Sequence, residues 1–252
     1  MSNEVVILKS AGEIDKLRRS NVVVAEMLEL LRAKIAPGVT TMDLEMVCVE
    51  ELEKRKITPA FKGYRGYPFC LCTSVNDEVV HGMPSERVLN DGDIISIDFG
   101  VNLDGFYGDS AVTIAVGNIA PETQRLMDVT SEALNRGIAQ ALDGNRLFDI
   151  SSAVQQYAED AGFSVVRTFV GHGIGKELHE PPQVPNFGQA GKGIRLKAGM
   201  VLAIEPMINQ GTYDVKVLKD GWTAVTNDGK LSAHFEHTIA ITKNGPYVLS
   251  RL

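Results

Sequence analysis

The feature that most constrains this 252-residue chain is that its second half echoes its first. GVTTMDL (38–44) runs in register with GNRLFDI (144–150), keeping Gly and Asp. LNDGDIISID (89–98) runs with LKAGMVLAIE (196–205), keeping Leu, Gly and the apolar positions. DSAVTIAVG (109–117) resembles EHTIAITKNG (236–245). The offsets are 106, 107 and 127 residues, which places about 20 extra residues before the last strand of the second half. Self-similarity of this kind implies a duplicated supersecondary unit. The expected fold is α+β: two α-α-β halves, about 12–117 and 121–247, related by a pseudo-twofold axis with helices outside. They form one domain over 1–252, with the ligand site between the halves.

Periodicity supplies the elements. Apolar residues at helical spacing predict helices over 12–35, 41–55, 121–142 and 148–161. Pro37-Gly38 stops the first, Thr40 with Asp43 caps the second, Pro121 opens the third and Gly162 closes the fourth. Strand-like text follows each helix pair: CLCTSV, DIISIDFG and AVTIAVG in the first half, then FSVVRTFV, MVLAIEP and HTIAIT. Between them lies GHGIGKELHEPP (171–182), whose glycines and prolines predict a loop presenting His172 and His179.

Composition excludes several classes. A net charge of −7 without a basic block argues against nucleic acid or an anionic membrane as partner. No apolar run approaches the roughly 18 residues of a membrane helix, and MSNEVVILKSAGEIDK lacks the basic start of a secretion signal. Three cysteines, an odd number without a CxxC pair, predict free thiols and a cytoplasmic setting. Cys48 and Cys70 read as small core residues. No sustained heptad seam is present, so a monomer is expected.

The repeat carries acids at chemically telling places. Asp98 pairs with Glu205 and Asp109 with Glu236, each beside an apolar strand that offers no basic residue. A buried carboxylate needs a cation or donors. Four carboxylates balance two divalent ions, the arrangement of metal-assisted hydrolysis, and His172 adds a nitrogen ligand. Mostly oxygen ligands with one imidazole suit Mn²⁺, Fe²⁺, Co²⁺ or Zn²⁺.

Asp98, Asp109, His172, Glu205 and Glu236, in this order with GHGIG and IEP, resemble the ligand set of the methionine aminopeptidase family. The resemblance spans about residues 5–250 and implies the pita-bread fold. It resembles a short, type I, bacterial-like form, without the insertion that type II members carry after the histidine ligand. It implies two divalent metals, from Co, Mn, Fe, Zn or Ni, with Asp109 and Glu236 bridging, Asp98 on one and His172 and Glu205 on the other. Glu205 would act as general base and proton carrier, His179 as donor to the scissile carbonyl and His81 as neighbour of the scissile nitrogen. Tyr64, Tyr67, Cys72, Phe61, Leu178 and Trp222 would line the methionine pocket; Phe61 and Leu178 depart from the cysteine and phenylalanine expected there. Glu180 and His234 read as structural, and His237 as pointing away. The implied substrates are nascent chains and peptides with N-terminal methionine, with transient ribosome association. An X-Pro dipeptidase of the same fold and an inactive binding module are the alternatives.

Overall fold

The computed structural model describes residues 5–252; the N-terminal reading of residues 1–4 lies outside them. Helices α1 (Ala11–Arg32), α2 (Thr41–Arg55), α3 (Pro121–Ala139) and α4 (Leu147–Asp160) form where the apolar spacing put them. The first and third end three residues earlier than expected. Ser10 and Glu13 close a capping box on α1, and Thr40 and Asp43 close one on α2. Gly162, at φ 85°, takes the left-handed position just past α4.

The strands are β1 (Thr58–Pro59), β2 (Leu71–Val75), β3 (Glu78–Val80), β4 (Ile94–Leu103) and β5 (Phe106–Ala115) in the first half. The second half contributes β6 (Ser164–Val165), β7 (Gly171–Gly173), β8 (Glu180–Val184), β9 (Val201–Ile204), β10 (Met207–Asn209), β11 (Val215–Val217), β12 (Ala224–Thr226), β13 (Ser232–His234), β14 (His237–Thr242) and β15 (Gly245–Val248). All pairings are antiparallel. β4 lies between β1 and β2 and pairs with β5, while the second half orders β15-β14-β9-β7-β8. Helices α1 and α2 cover the first sheet through Leu28, Leu31, Leu44, Cys48, Ile95, Ile97 and Phe99. Helices α3 and α4 cover the second through Leu134, Ile138, Ile150, Leu202, Ile204 and Ile239.

The duplication is visible bond by bond. Gly38 N donates to Leu89 O and Gly144 N to Leu196 O; Gly92 N donates to Val116 O and Gly199 N to Ile241 O. Thr40 bridges Val88 as Arg146 bridges Arg195. Ladder register corrects the sequence alignment at one place. Gly100 pairs with Asp109, and Met207, its counterpart, pairs with His234; Ile97 pairs with Val112, and Ile204 with His237. His234, not Glu236, therefore stands where Asp109 stands, and Glu236 answers to Ala111. The extra residues also find their place. Asp104-Gly105, both with positive φ, makes the tight turn between β4 and β5, whereas residues 210–231 replace that turn with the β11–β12 hairpin.

Two expectations fail locally. FSVVRTFV forms strand only at Ser164–Val165, where it pairs with β10. GHGIGKELHEPP is not an open loop. Its ends are β7 and β8, paired with each other, and β7 also pairs with β9. Its glycines serve close packing: a Cβ on Gly171 would lie 2.4 Å from Ala203 O, and one on Gly173 2.3 Å from Pro181 O.

Gly108 brings α1 onto β5 beside Asp109, since a Cβ there would sit 2.7 Å from the Ser20 carbonyl carbon and 2.8 Å from Asn21 N. Gly108→Ala is expected to destabilise the chain by about 1–3 kcal/mol, read as a drop of about 2–4 °C in Tm per kcal/mol; an unchanged melting curve would refute this packing account. Cys48, Cys70 and Cys72 are free and buried, and burial pushes the Cys70 thiol up to about 12. Native protein at pH 8 should resist iodoacetamide and take up label on all three thiols only after denaturation; rapid native labelling would contradict it.

Candidate metal and peptide site

Each acid is fixed by a ladder. Asp98 sits mid-β4, flanked by Cys72 on β2 and Ala111 on β5. Asp109 pairs with Gly100, so it lies diagonally across from Asp98 on the same face. Its amide N–H donates to Asn21 Oδ1 of α1 at 3.3 Å. Glu205 and Glu236 occupy joints instead. Glu205 lies between β9 and β10, and Glu236 between β13 and β14, where the paired strands pass from one sheet to the next. Glu236 N donates to Ala111 O, and Ser110 Oγ to Glu236 O, which ties that joint to the first half.

All the residues expected in the site line one cavity of about 150 Å³: Asp98, Asp109, His172, Glu205, Glu236, His81, His179, Phe61, Tyr64, Tyr67, Cys72, Leu178 and Trp222. Arg65, at the mouth over the Tyr64 ring, is the one lining residue the sequence reading does not contain. Asp109, His172 and Glu236 offer ligand atoms within 4.8 Å of one another. His172 Nε2 lies 3.5 Å from Glu205 Oε1 and 3.9 Å from Asp109 Oδ2.

The electrostatics of this cluster are unfavourable on their own. Asp98 Oδ1, Asp109 Oδ1 and Glu236 Oε1 are buried without a hydrogen-bond partner. Burial pushes Asp98 and Glu205 up to about 7. Burial, then repulsion from neighbouring carboxylates, raises Asp109 and Glu236 well above the carboxylate range. No lysine or arginine makes an ion pair with any of these acids among the described residues. Orphaned oxygens converging beside an imidazole nitrogen fit a divalent cation.

The imidazoles are individually placed. His179 Nδ1 bonds Tyr64 Oη at 2.7 Å, with the rings stacked. Burial lowers its pKa to about 3, with His172 adding to the shift. His81 is held at φ 60° and meets Phe169 and Trp222 edge-on; burial lowers its pKa to about 4. Backbone in this region is costly for a side-chain-bearing residue and recurs at functional sites. His237 turns away, to Ser250 Oγ at 2.8 Å. His234 departs from its purely structural reading, because its Nε2 lies 3.5 Å from Glu205 Oε2. Glu180 is structural: it pairs with Lys9 in the interior and accepts from Lys176 N at 2.8 Å and Glu177 N at 3.3 Å. That clamp shapes the turn carrying Leu178 and His179.

The opposite wall is apolar. Tyr67, its hydroxyl donating to Leu71 O at 3.0 Å, packs edge-on against Trp222 at 5.1 Å. Cys72 and Leu178 complete a lining of aromatic faces, thiol and aliphatic carbon, which suits a thioether chain.

If the orphaned carboxylates bind a cation, adding Mn²⁺, Co²⁺ or Zn²⁺ to metal-stripped protein raises its Tm, by the equivalent of about 2.7 kcal/mol at 100 times Kd. Asp109→Ala and Glu236→Ala should lose most of that rise. No shift with any ion would rule the cation out.

Comparison with known proteins agrees with this geometry. Metallopeptidase family M24 matches residues 15–243. A methionine aminopeptidase of Clostridium perfringens is 54% identical over 246 residues, spanning 98% of this chain and 99% of that one. The crystal structure of methionine aminopeptidase from Thermotoga maritima superposes with a TM-score of 0.96 at 46% identity, covering 98% of this chain and 100% of that one. The Xaa-Pro dipeptidase of Bacillus anthracis, at 21% identity and TM-score 0.75, covers 97% of this chain and 62% of that one, a likeness of fold alone. The chain belongs to metallopeptidase family M24, among its methionine aminopeptidases.

Proposed function

We propose that this chain is a metal-dependent exopeptidase that removes N-terminal methionine from peptides and nascent proteins, preferring a small second residue. The observation that carries the reading is the set of buried, partnerless carboxyl oxygens on Asp98, Asp109 and Glu236 beside His172, facing a pocket of sulfur and aromatic carbon. In this reading residues 1–252 form one catalytic domain, whose halves, 12–117 and 121–247, meet at the site.

Asp109 and Glu236 would bridge two divalent ions, Asp98 would hold one, and His172 with Glu205 the other, from Co, Mn, Fe, Zn or Ni. Bound there, such ions supply an acidified water, its pKa lowered from about 15.7 toward 7. Glu205 would be the general base that holds a proton at its carboxylate and passes it to the leaving amine. Tyr64 Oη occupies His179 Nδ1, which leaves Nε2 free to donate to the scissile carbonyl as negative charge develops. His81 stands beside the scissile nitrogen. The substrate's free α-amine belongs at the Asp98 end of the cluster, so a blocked or internal residue has nothing to offer. Phe61, Tyr64, Tyr67, Cys72, Leu178 and Trp222 enclose the methionine side chain.

Among the described residues no helix is long and apolar enough to cross a membrane. The net charge of −7 disfavours nucleic-acid and anionic-membrane partners; the proposed setting is a cytoplasmic monomer that meets nascent chains in transient association with the ribosome.

The deciding assay offers Met-Ala-Ser, Leu-Ala-Ser, N-acetyl-Met-Ala-Ser and Met-Pro to metal-stripped protein before and after adding back each ion. Metal-dependent methionine release from unblocked Met-Ala-Ser alone is expected. Cleavage confined to Met-Pro would make the chain an X-Pro dipeptidase, and no cleavage a binding module. His179→Ala should cut kcat by about 10²–10³ while leaving the metal-induced Tm rise intact.

A further inference from the structure

The mechanism above leaves one buried side chain of the site without work. His234 ends β13 with its side chain almost wholly enclosed, at 1% exposure, and its Nε2 has no hydrogen-bond partner. Three features aim that nitrogen. The backbone is pinned: His234 N donates to Thr113 Oγ1 at 2.8 Å, and Thr113 Oγ1 donates to His234 O at 2.8 Å. The ladder sets the face, because His234 pairs with Met207 where Asp109 pairs with Gly100, which puts it on the side of its strand that corresponds to the Asp109 side of β5. The distance is short, since Nε2 lies 3.5 Å from Glu205 Oε2 while the other oxygen of the same carboxylate lies 3.5 Å from His172 Nε2.

Glu205 thus carries one imidazole at each oxygen. An approach of about half an ångström brings the His234 contact to ordinary N–H···O length, and such bonds are often long before the reacting complex assembles. Ligation of a metal by His234 is the competing reading, since Asp98 and Glu205 share with it a place outside the tight group of Asp109, His172 and Glu236, and zinc titration separates the two.

We propose that His234 is the positioning residue of Glu205: its Nε2–H donates to Glu205 Oε2 and fixes the carboxylate that carries the proton. The proposal rests on the aminopeptidase reading of the site. It separates the two histidines near Glu205 by task, His172 as ligand and His234 as orienting donor.

The experiment compares wild type, His234→Leu (similar bulk, no donor) and His234→Gln (an amide donor of similar reach), each loaded with Zn²⁺ and assayed on Met-Ala-Ser. Outer-shell partners of this kind are worth about 10–100-fold. His234→Leu is expected to lose kcat by about that factor with KM within about twofold, and His234→Gln to recover most of it. Calorimetric Zn²⁺ titration should give the same stoichiometry in all three and a Kd within a few-fold. A lost equivalent of zinc, or a Kd more than about tenfold weaker, would make His234 a ligand and overturn the proposal, as would wild-type kcat in His234→Leu. Nitrogen-15 spectra of the histidines in zinc-loaded wild type decide independently of turnover and of how well the variants fold. A protonated His234 Nε2 whose proton signal moves in Glu205→Gln supports the proposal, and an unprotonated Nε2 refutes it. If wild type releases no methionine with any ion, the aminopeptidase reading fails, and the nitrogen-15 result still settles the His234–Glu205 contact.

Discussion

Four carboxylates are held against one another in a cavity that water reaches poorly, and the architecture is arranged around that repulsion. Leaving charged oxygens buried and unpaired is among the costlier things a chain can do. Here the cost is imposed by rigid elements: Asp98 and Asp109 by a ten-residue ladder, Glu205 and Glu236 by the joints where two strand pairs change sheets. The backbone that carries each acid is held by main-chain hydrogen bonds, so the four cannot be drawn apart without breaking the ladders. Stability must come from elsewhere, from the two helix-covered cores on either side. A divalent cation bound there would offset that repulsion and give the orphaned oxygens a partner.

The duplication explains why the cluster exists but not why it is selective. Both halves supply acids from equivalent ladders, Asp98 and Glu205 at matching places. The departures from symmetry carry the rest. The two-residue turn of the first half becomes, in the second, the β11–β12 hairpin, which pairs with β3 and brings Trp222 against Tyr67 and His81. The β7–β8 connection, clamped by Lys9 and Glu180, carries Leu178 and His179. Metal-binding potential is thus symmetric in origin, and the groups that would recognise a peptide are added asymmetrically.

This division sets what was legible in the sequence. The start of α2 is readable because its capping residue acts locally: Asp43 accepts the amide of Thr40 three residues back, and Asp149, its repeat counterpart, does the same for Arg146. The acids were readable because a carboxylate after a buried strand violates the local pattern. Three things needed the fold. The glycines around His172 read as freedom of the chain and are instead sites of close strand approach, a difference that depends on Ala203 and Pro181 far along the chain. The pairing of Asp109 with Glu236 rested on the resemblance of two apolar strands, and period-two text cannot distinguish a two-residue slip; only the ladder shows that His234 is the counterpart. The Lys9–Glu180 pair joins residues 171 positions apart, which no spacing rule reaches.

The slip matters because it changes what the second half contributes. Had Glu236 been the true twin of Asp109, the two halves would offer matched carboxylates and nothing else. Instead β13 and the joint after it carry the imidazole of His234, beside Glu205, and the carboxylate of Glu236, at the places where β5 carries Asp109 and the methyl of Ala111. Phe61 lies against Gly100, the residue that pairs with Asp109; a Cβ on Gly100 would meet the Phe61 ring at 3.0 Å. The pocket wall at Phe61 and the strand that carries Asp98 are therefore one packed unit. A side chain at position 100 would press on both, so the choice of first residue and the geometry of the acids are not independently adjustable in this fold.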